Sequence, residues 1–256
     1  MTARTIVVKI GGSTLGSGDT TFEDLVALQR AGARPVVVHG GGKVITEWLE
    51  RSQLPTRFVR GLRVTDEPAL CVVTAVLAGL VNKELVAKVQ ALGGKAIGLC
   101  GVDGALVQVH QRDPELGFVG DVTGFNLDIL RIILDAGYLP IVAPIGLDEH
   151  GQHYNINADT VAGGLALAVR ADDLIFLTDV PGIRDGSGQV VTQLSRDDVE
   201  MLIAEGVIAS GMIPKTQACL CALGALQEAQ IVDGRVPHAL LASAKGEAAG
   251  TRIVRG

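Results

Sequence analysis

The sequence predicts an α/β protein. Short apolar runs bounded by glycine or proline alternate with longer stretches of helical period along the chain. Several of these runs are unbroken rather than alternating, as in Val36-Val37-Val38, which marks strands covered on both faces. The composition agrees: 33 glycines, with 48% hydrophobic but 3% aromatic residues, leave a core of Val, Ile, Leu and Ala. At 256 residues the chain can form one large domain or two lobes.

The elements follow in order. Residues 5–10 read as a strand ending in Gly11 and Gly12, with Lys9 inside it. Residues 21–31 form a surface helix. Pro35 pushes Arg34 towards extended geometry and starts the strand at Val36, which runs into Gly40, Gly41 and Gly42 and then a helix to Arg51. Residues 56–65 are basic and extended, with Arg57, Arg60 and Arg63. A long helix runs from about Asp66 to Leu92. Its middle, residues 72–81, is apolar nearly all round, too short to cross a bilayer and suited to burial in a core or against a second subunit. Residues 95–99 form a strand, 105–110 and 117–122 a hairpin, and 126–136 a helix before the strand opened by Pro140. A turn at Gly151 leads through Asn155 and Asn157 into a small-residue helix that ends near Val169.

The second part opens with the buried strand 174–178, then turns at Asp179-Val180-Pro181-Gly182 and at Asp185-Gly186-Ser187-Gly188. Ser195 caps a helix with acidic residues in its first turn. Another helix opens at Ser210-Gly211-Met212-Ile213-Pro214-Lys215 and runs to about Leu226, and residues 231–232 and 252–254 are closing strands. No linker or repeat interrupts the chain, so two lobes, 1–172 and 173–256, should share one continuous sheet.

Composition excludes several functions. A net charge of −6 leaves no basic footprint for nucleic acid. Cys71, Cys100, Cys219 and Cys221 make no C-x-x-C pair and read as small core residues in a reducing compartment. The N-terminus leads straight into a strand with no signal peptide, which points to the cytoplasm. There is no Ser/His/Asp set, and His110, His150, His153 and His238 are scattered, with His39 closing a strand.

What chemistry there is gathers at glycines. A strand that passes through glycines into a helix brings bare N–H groups and a positive helix end to one point, an anion site. Two such turns, one carrying Lys9, look like opposite walls of a phosphoryl-transfer site. The turns do not match known fingerprints: G-x-G-x-x-G fails at Ile45, and Walker A fails at Val44. Lys215 stands in the first turn of its helix, where acidic residues are preferred, so both it and the helix end could face an anion. Asp159 either rests in the first turn of a helix capped by Asn157 or orients lysines around a phosphoryl group. Asn155 is a candidate substrate amide and Arg63 a candidate fork for a carboxylate. Asp179 either bonds its own backbone or faces a nucleotide.

The motifs VVKIGGS, VVVHGGGK, GLRVTD, NINAD, TDVPGI and GMIPK occur in that order and spacing. Together they resemble the amino acid kinase superfamily and, within it, the acetylglutamate kinases of arginine biosynthesis. The resemblance covers nearly the whole chain, from Ile6 to Val254. It implies a three-layer αβα sandwich around a mostly parallel sheet, with the acyl acceptor in the first lobe and ATP in the second. It implies that Lys9 and Lys215 neutralise the moving phosphoryl group and that Asp159 organises them. Gly11, Gly12, Gly41 and Gly42 would donate backbone N–H groups to the phosphates and the acceptor. Arg63 and Asn155 would hold N-acetyl-L-glutamate, and Thr178, Asp179 and Gly182 would border the nucleotide. ATP would arrive with Mg²⁺ held mainly by its phosphates, without a dedicated metal cage. Competing readings are a kinase for a carrier-bound aminoadipate or glutamate in lysine synthesis, and a non-catalytic nucleotide or amino-acid sensor. The apolar helix implies a homodimer in which it crosses its twin. Arginine-inhibited relatives carry an extra N-terminal helix that joins dimers into hexamers. With four residues before the first strand here, the expectation is a dimer insensitive to arginine.

Overall fold

Strands come first because they place the chemistry. A computed structural model describes residues 3–11, 20–247 and 249–255; Gly12 lies outside the described residues. In chain order the elements are β1 (Thr5–Ile10), α1 (Thr21–Arg30), β2 (Arg34–His39), α2 (Gly42–Arg51), β3 (Phe58–Val59) and β4 (Leu62–Arg63). Then come α3 (Glu67–Thr74), a π-helical segment (Ala75–Val81), α4 (Asn82–Ala91), β5 (Ala96–Cys100), β6 (Val107–Gln111) and β7 (Gly120–Phe125). Next are α5 (Asp128–Asp135), β8 (Leu139–Ala143), β9 (Ile145–Leu147), β10 (His153–Asn155) and α6 (Ala158–Val169). The rest is β11 (Asp173–Thr178), β12 (Gln193–Leu194), α7 (Arg196–Ala204), α8 (Met212–Ala222), β13 (Glu228–Asp233), α9 (Ala239–Ala244) and β14 (Gly250–Val254).

Eight strands form one sheet in the order β12-β14-β13-β11-β1-β2-β8-β5, and all neighbours run parallel except β13 with β14. Alternate residues of each strand feed opposite faces. Val7, Val38 and Phe176 pack with α5, α6, α7 and α8, whereas Val8, Val37 and Ile175 pack with α1, α3, α4 and α9. The result is the αβα sandwich expected from the motifs. A smaller sheet, β10-β9-β6-β7, contains the predicted hairpin, and β3 pairs with β4.

The chain lays strands to one side of β1, through β2, β8 and β5, and then returns to place β11 on its other side. In an open parallel sheet such a reversal opens a crevice beyond the carboxyl ends of the strands, where ligands bind. Gly11, Gly40 and Asp179, each at the end of one of these three strands, therefore share one edge of the sheet.

One expectation needs correcting. The four cysteines are not all core residues: Cys219 is buried, Cys100 half-buried, and Cys71 and Cys221 exposed on the outer sides of their helices. All four are unpaired. The long apolar helix is found close to its expected bounds: Glu67–Ala91 spans 25 residues with mean hydropathy 1.8, enough by length and composition to cross a membrane. Packing decides the matter, because Val73, Val76, Leu77, Val81, Leu85 and Val89 are buried against the sheet and it is a core helix. The short elements β9, β10, β12 and α9 had no pattern long enough to reveal them, and nothing in the sequence marked the π turn.

Candidate active site

Lys9 shares the side-chain parity of Val7, so it points to the face where α6 and α8 lie. Asp159 is in the first turn of α6, whose N-cap Asn157 accepts from the amides of Asp159 and Thr160 at 2.8 and 3.2 Å. Lys215 is in the opening of α8. The three side chains meet: Lys9 Nζ is 2.7 Å from Asp159 Oδ1, and Lys215 Nζ donates to Oδ2 at 2.8 Å. The Lys9 contact lies off a good hydrogen-bond line, so it is chiefly coulombic. The carboxylate that could have been a plain helix-terminus residue is thus a bridge between two cations.

Close approach of the two helices makes the bridge reachable. Gly163, one turn beyond Asp159, lies against Ala218; a Cβ there would stand 2.5 Å from the Ala218 carbonyl oxygen. Burial opposes ionisation of Asp159, but the charges of Lys9 and Lys215 outweigh it and hold the carboxyl below its ordinary pKa. Burial pushes the Lys9 ammonium below its usual value, against the pull of Asp159. Two lysines sharing one carboxylate leave one positive charge in surplus, and an incoming phosphoryl group would offset it.

Beside this cluster is a cavity of about 400 Å³. Its walls include Gly40, Gly41, Gly42, Arg63 and Asn155, and residues 155–158 lead directly into Asp159. Gly41 and Gly42 open α2, and among the described residues the amides of Gly41, Gly42 and Lys43 have no protein acceptor. A Cβ on Gly42 would meet nothing within 4 Å, so this glycine keeps the cavity open. Arg63 is 8% exposed and is tethered by Thr46 Oγ1 at 2.8 Å and the Gly42 carbonyl at 3.1 Å, with Phe58 stacked 4.8 Å away. Among the described residues it has no acidic partner, and burial lowers its pKa from the ordinary value. An arginine so held lacks an anion. Asn155 donates to Thr65 Oγ1 at 3.2 Å, and Thr65 in turn donates to the Arg63 carbonyl at 3.0 Å.

The remaining candidates stand on the other side of β1. Gly11 continues the ladder by donating to the Leu177 carbonyl at 3.3 Å. Thr178 is buried and its hydroxyl serves the carbonyls of Val180 and Val232 within the fold. Gly182 has φ +147°, and a Cβ there would lie 2.7 Å from Thr251 Oγ1, so packing alone requires glycine. Asp179 is exposed at the end of β11 and near Arg235, which grips Asp233. Sequence reasoning missed Lys43 and Thr46, which line the cavity. Thr46 was findable: it is four residues after Gly42, hence on the same helix face.

The chain belongs to the amino acid kinase family, which it matches over residues 4–233. Acetylglutamate kinase of Heliobacterium modesticaldum is 46% identical to it over 257 residues, covering 93% of this chain and 87% of that protein. The enzyme of the same name from a Ruegeria species is 47% identical over 240 residues, covering 92% of this chain and 84% of that protein. Among solved structures, the Streptococcus mutans protein smu.665 superposes with a TM-score of 0.87 at 32% identity, covering 98% of this chain and 99% of that one.

Proposed function

We propose that this chain transfers the γ-phosphoryl group of ATP to the side-chain carboxylate of N-acetyl-L-glutamate. The observation that carries the reading is the Lys9–Asp159–Lys215 cluster beside a cavity that holds an arginine without an acidic partner among the described residues. The relatives named acetylglutamate kinase supply the acceptor's identity. Residues 1–172 form the acceptor lobe and residues 173–256 the ATP lobe, which meet where β1 pairs with β11.

The acceptor carboxylate is ionised at pH 7, so no general base is required. Its oxygen bonds to the γ-phosphorus as the bond to the ADP oxygen breaks, and no proton moves. The protein aligns the two oxygens and offsets charge. Lys9 and Lys215 contribute the cations, the Gly41 and Gly42 amides donate to the acceptor and transferring group, and Arg63 with Asn155 orient the acetylglutamate. Gly11 and Gly12, with Thr178, Asp179 and Gly182, border the nucleotide. Mg²⁺ would arrive on the ATP phosphates and would supply charge neutralisation there; Asp159, the buried carboxylate of the cluster, is already held by two lysines. The enzyme works in the cytoplasm, where unpaired thiols persist.

An ATP-dependent assay in which hydroxylamine traps the acyl phosphate tests the reading. Acetylglutamate should give hydroxamate, and glutamate, aspartate and aminoadipate should give little. A preference for aminoadipate would move the assignment, and silence with all four would end it.

Arg63→Lys keeps the charge but loses the planar fork and the stacking on Phe58. It should raise KM for acetylglutamate roughly tenfold or more, the cost of about one charged hydrogen bond, while ATP affinity stays within twofold. A loss of ATP affinity instead would put Arg63 on the nucleotide side.

The outer face of the long helix exposes Cys71, Ala75, Gly79 and Leu80, a strip of small and apolar side chains. This strip meets its own copy across a two-fold axis, forming a homodimer. Light scattering should give twice the 26.6 kDa of the chain, and Ala75→Glu should return it to monomer. A wild-type monomer at micromolar concentration would refute the contact.

A further inference from the structure

His39 closes β2 and is 1% exposed, and the chemistry described so far makes no use of it. Its ring is engaged at both nitrogens. Nδ1 lies 3.0 Å from the Gly40 carbonyl oxygen and Nε2 lies 3.2 Å from Asn82 Nδ2. A carbonyl can only accept, so Nδ1 carries the proton and Nε2 accepts from the asparagine. Asn82 is fully buried, and its Nδ2 also faces the carbonyls of Ile141 at 2.8 Å and Leu99 at 3.2 Å, which fixes its orientation. Lys83 donates to its Oδ1 at 3.0 Å. Burial pushes the His39 pKa down to about 4, so the ring stays neutral near pH 7.

The π-helical segment explains how one helix reaches this point twice. Leu77 and Asn82 are five residues apart, and on an α-helix they would diverge by about 140°. A π turn, bonded i to i+5, brings them to one side. Leu77 packs on the glycine turn: its Cδ2 is 2.7 Å from where a Cβ on Gly41 would stand. Asn82, the first residue beyond the π segment, grips His39. Gly98 yields the space for this network, since a Cβ there would clash with Asn82 Oδ1.

The Gly40–Gly41 peptide is planar, so the direction of the Gly40 carbonyl sets the opposite direction of the Gly41 N–H. That amide has no protein acceptor among the described residues, and Gly41 lines the cavity. We propose that His39 is a positioning residue for phosphoryl transfer: gripped by Asn82, its Nδ1–H holds the Gly40 carbonyl and thereby aims the Gly41 amide at the oxygen that reacts. The inference rests on the phosphoryl-transfer reading for the identity of that oxygen. It does not rest on it for the geometry.

Three replacements separate aiming from mere filling of the core. Asparagine carries its amide nitrogen near the place of Nδ1, so H39N can still donate to Gly40. Glutamine reaches towards the place of Nε2, so H39Q keeps the Asn82 contact and releases Gly40. H39L gives up both. If His39 aims the amide, H39N retains kcat within about threefold. H39Q and H39L should then lose roughly tenfold or more at unchanged KM for ATP, a fraction of what removing an oxyanion donor costs. Rescue by glutamine and not by asparagine, or equal loss in both, would overturn the proposal; H39N against H39Q decides it even if H39L fails to fold. The Gly41 amide resonance of the ligand-free protein is a second readout, expected to move in H39Q and not in H39N. An unmoved resonance in H39Q would also overturn it. Because that spectrum needs no substrate, a wild-type enzyme that makes no hydroxamate would count against the acceptor reading alone.

Discussion

Replacing Lys9 or Lys215 with alanine should lower kcat by roughly 10²-fold or more, the scale seen when a preorganised charge-stabilising donor is lost. The expectation follows from where the two ammonium groups sit. Both are within 2.8 Å of one carboxylate, beside the cavity, and their surplus charge is largest in value when the transferring group spreads its own charge. KM for either substrate should change far less than kcat, because the interaction strengthens along the reaction. Lys9 should be the harsher site: its side chain is 8% exposed against 20% for Lys215, so water cannot stand in for it. A Lys9→Ala enzyme with near-normal kcat and a raised KM would show that the lysine binds a ground state and does not act in transfer.

Asp159→Ala should cost both folding and turnover. The carboxylate is 5% exposed and is the counter-charge to both lysines, so removing it leaves an uncompensated buried cation. Breaking a buried pair in this way costs about 3–5 kcal/mol. For a chain of this size that is a fall in Tm of roughly 10 °C. The loss should depend on pH. The Lys9 pKa is already lowered by burial, and without Asp159 it falls further. A cation whose folded pKa is depressed lends full stability above its unfolded pKa and loses it as pH falls through the folded one. The gap between variant and wild type should therefore narrow as pH rises from 7 towards 10. Urea unfolding at several pH values measures it. A gap under about 1 kcal/mol, flat across that range, would mean that the lysines do not depend on Asp159.

The two lysines of the cluster stand out in the sequence itself. Lys9 stood out because a lysine inside an unbroken apolar strand is costly without a partner, and Lys215 because a cation in the first turn of a helix opposes the macrodipole. Both anomalies mark sites that break a local rule, and in the fold both side chains meet the same carboxylate. Asp159 was different: its position obeyed every local preference, so the residues alone left its role open. Thr178 and Gly182 show the converse, since each has a full packing explanation in the fold whatever it does for a nucleotide.

By itself the sequence determined the α/β class, the order of the main elements, the two glycine turns and the capping of α6 and α7, because these depend on periodicity and on neighbours within a few residues. Tertiary structure decided what depends on distant partners. It chose Asp159 as the bridge, through strand parity at Lys9 and the close pass of Gly163 against Ala218. It turned His39 from a strand-end residue into the partner of Asn82, 43 positions away, by means of a π turn with no signature in composition. It left Cys71 and Cys221 outside the core that their apolarity suggested. The physical reason is the same in each case: local energies select an element, whereas which side chains meet depends on how elements pack.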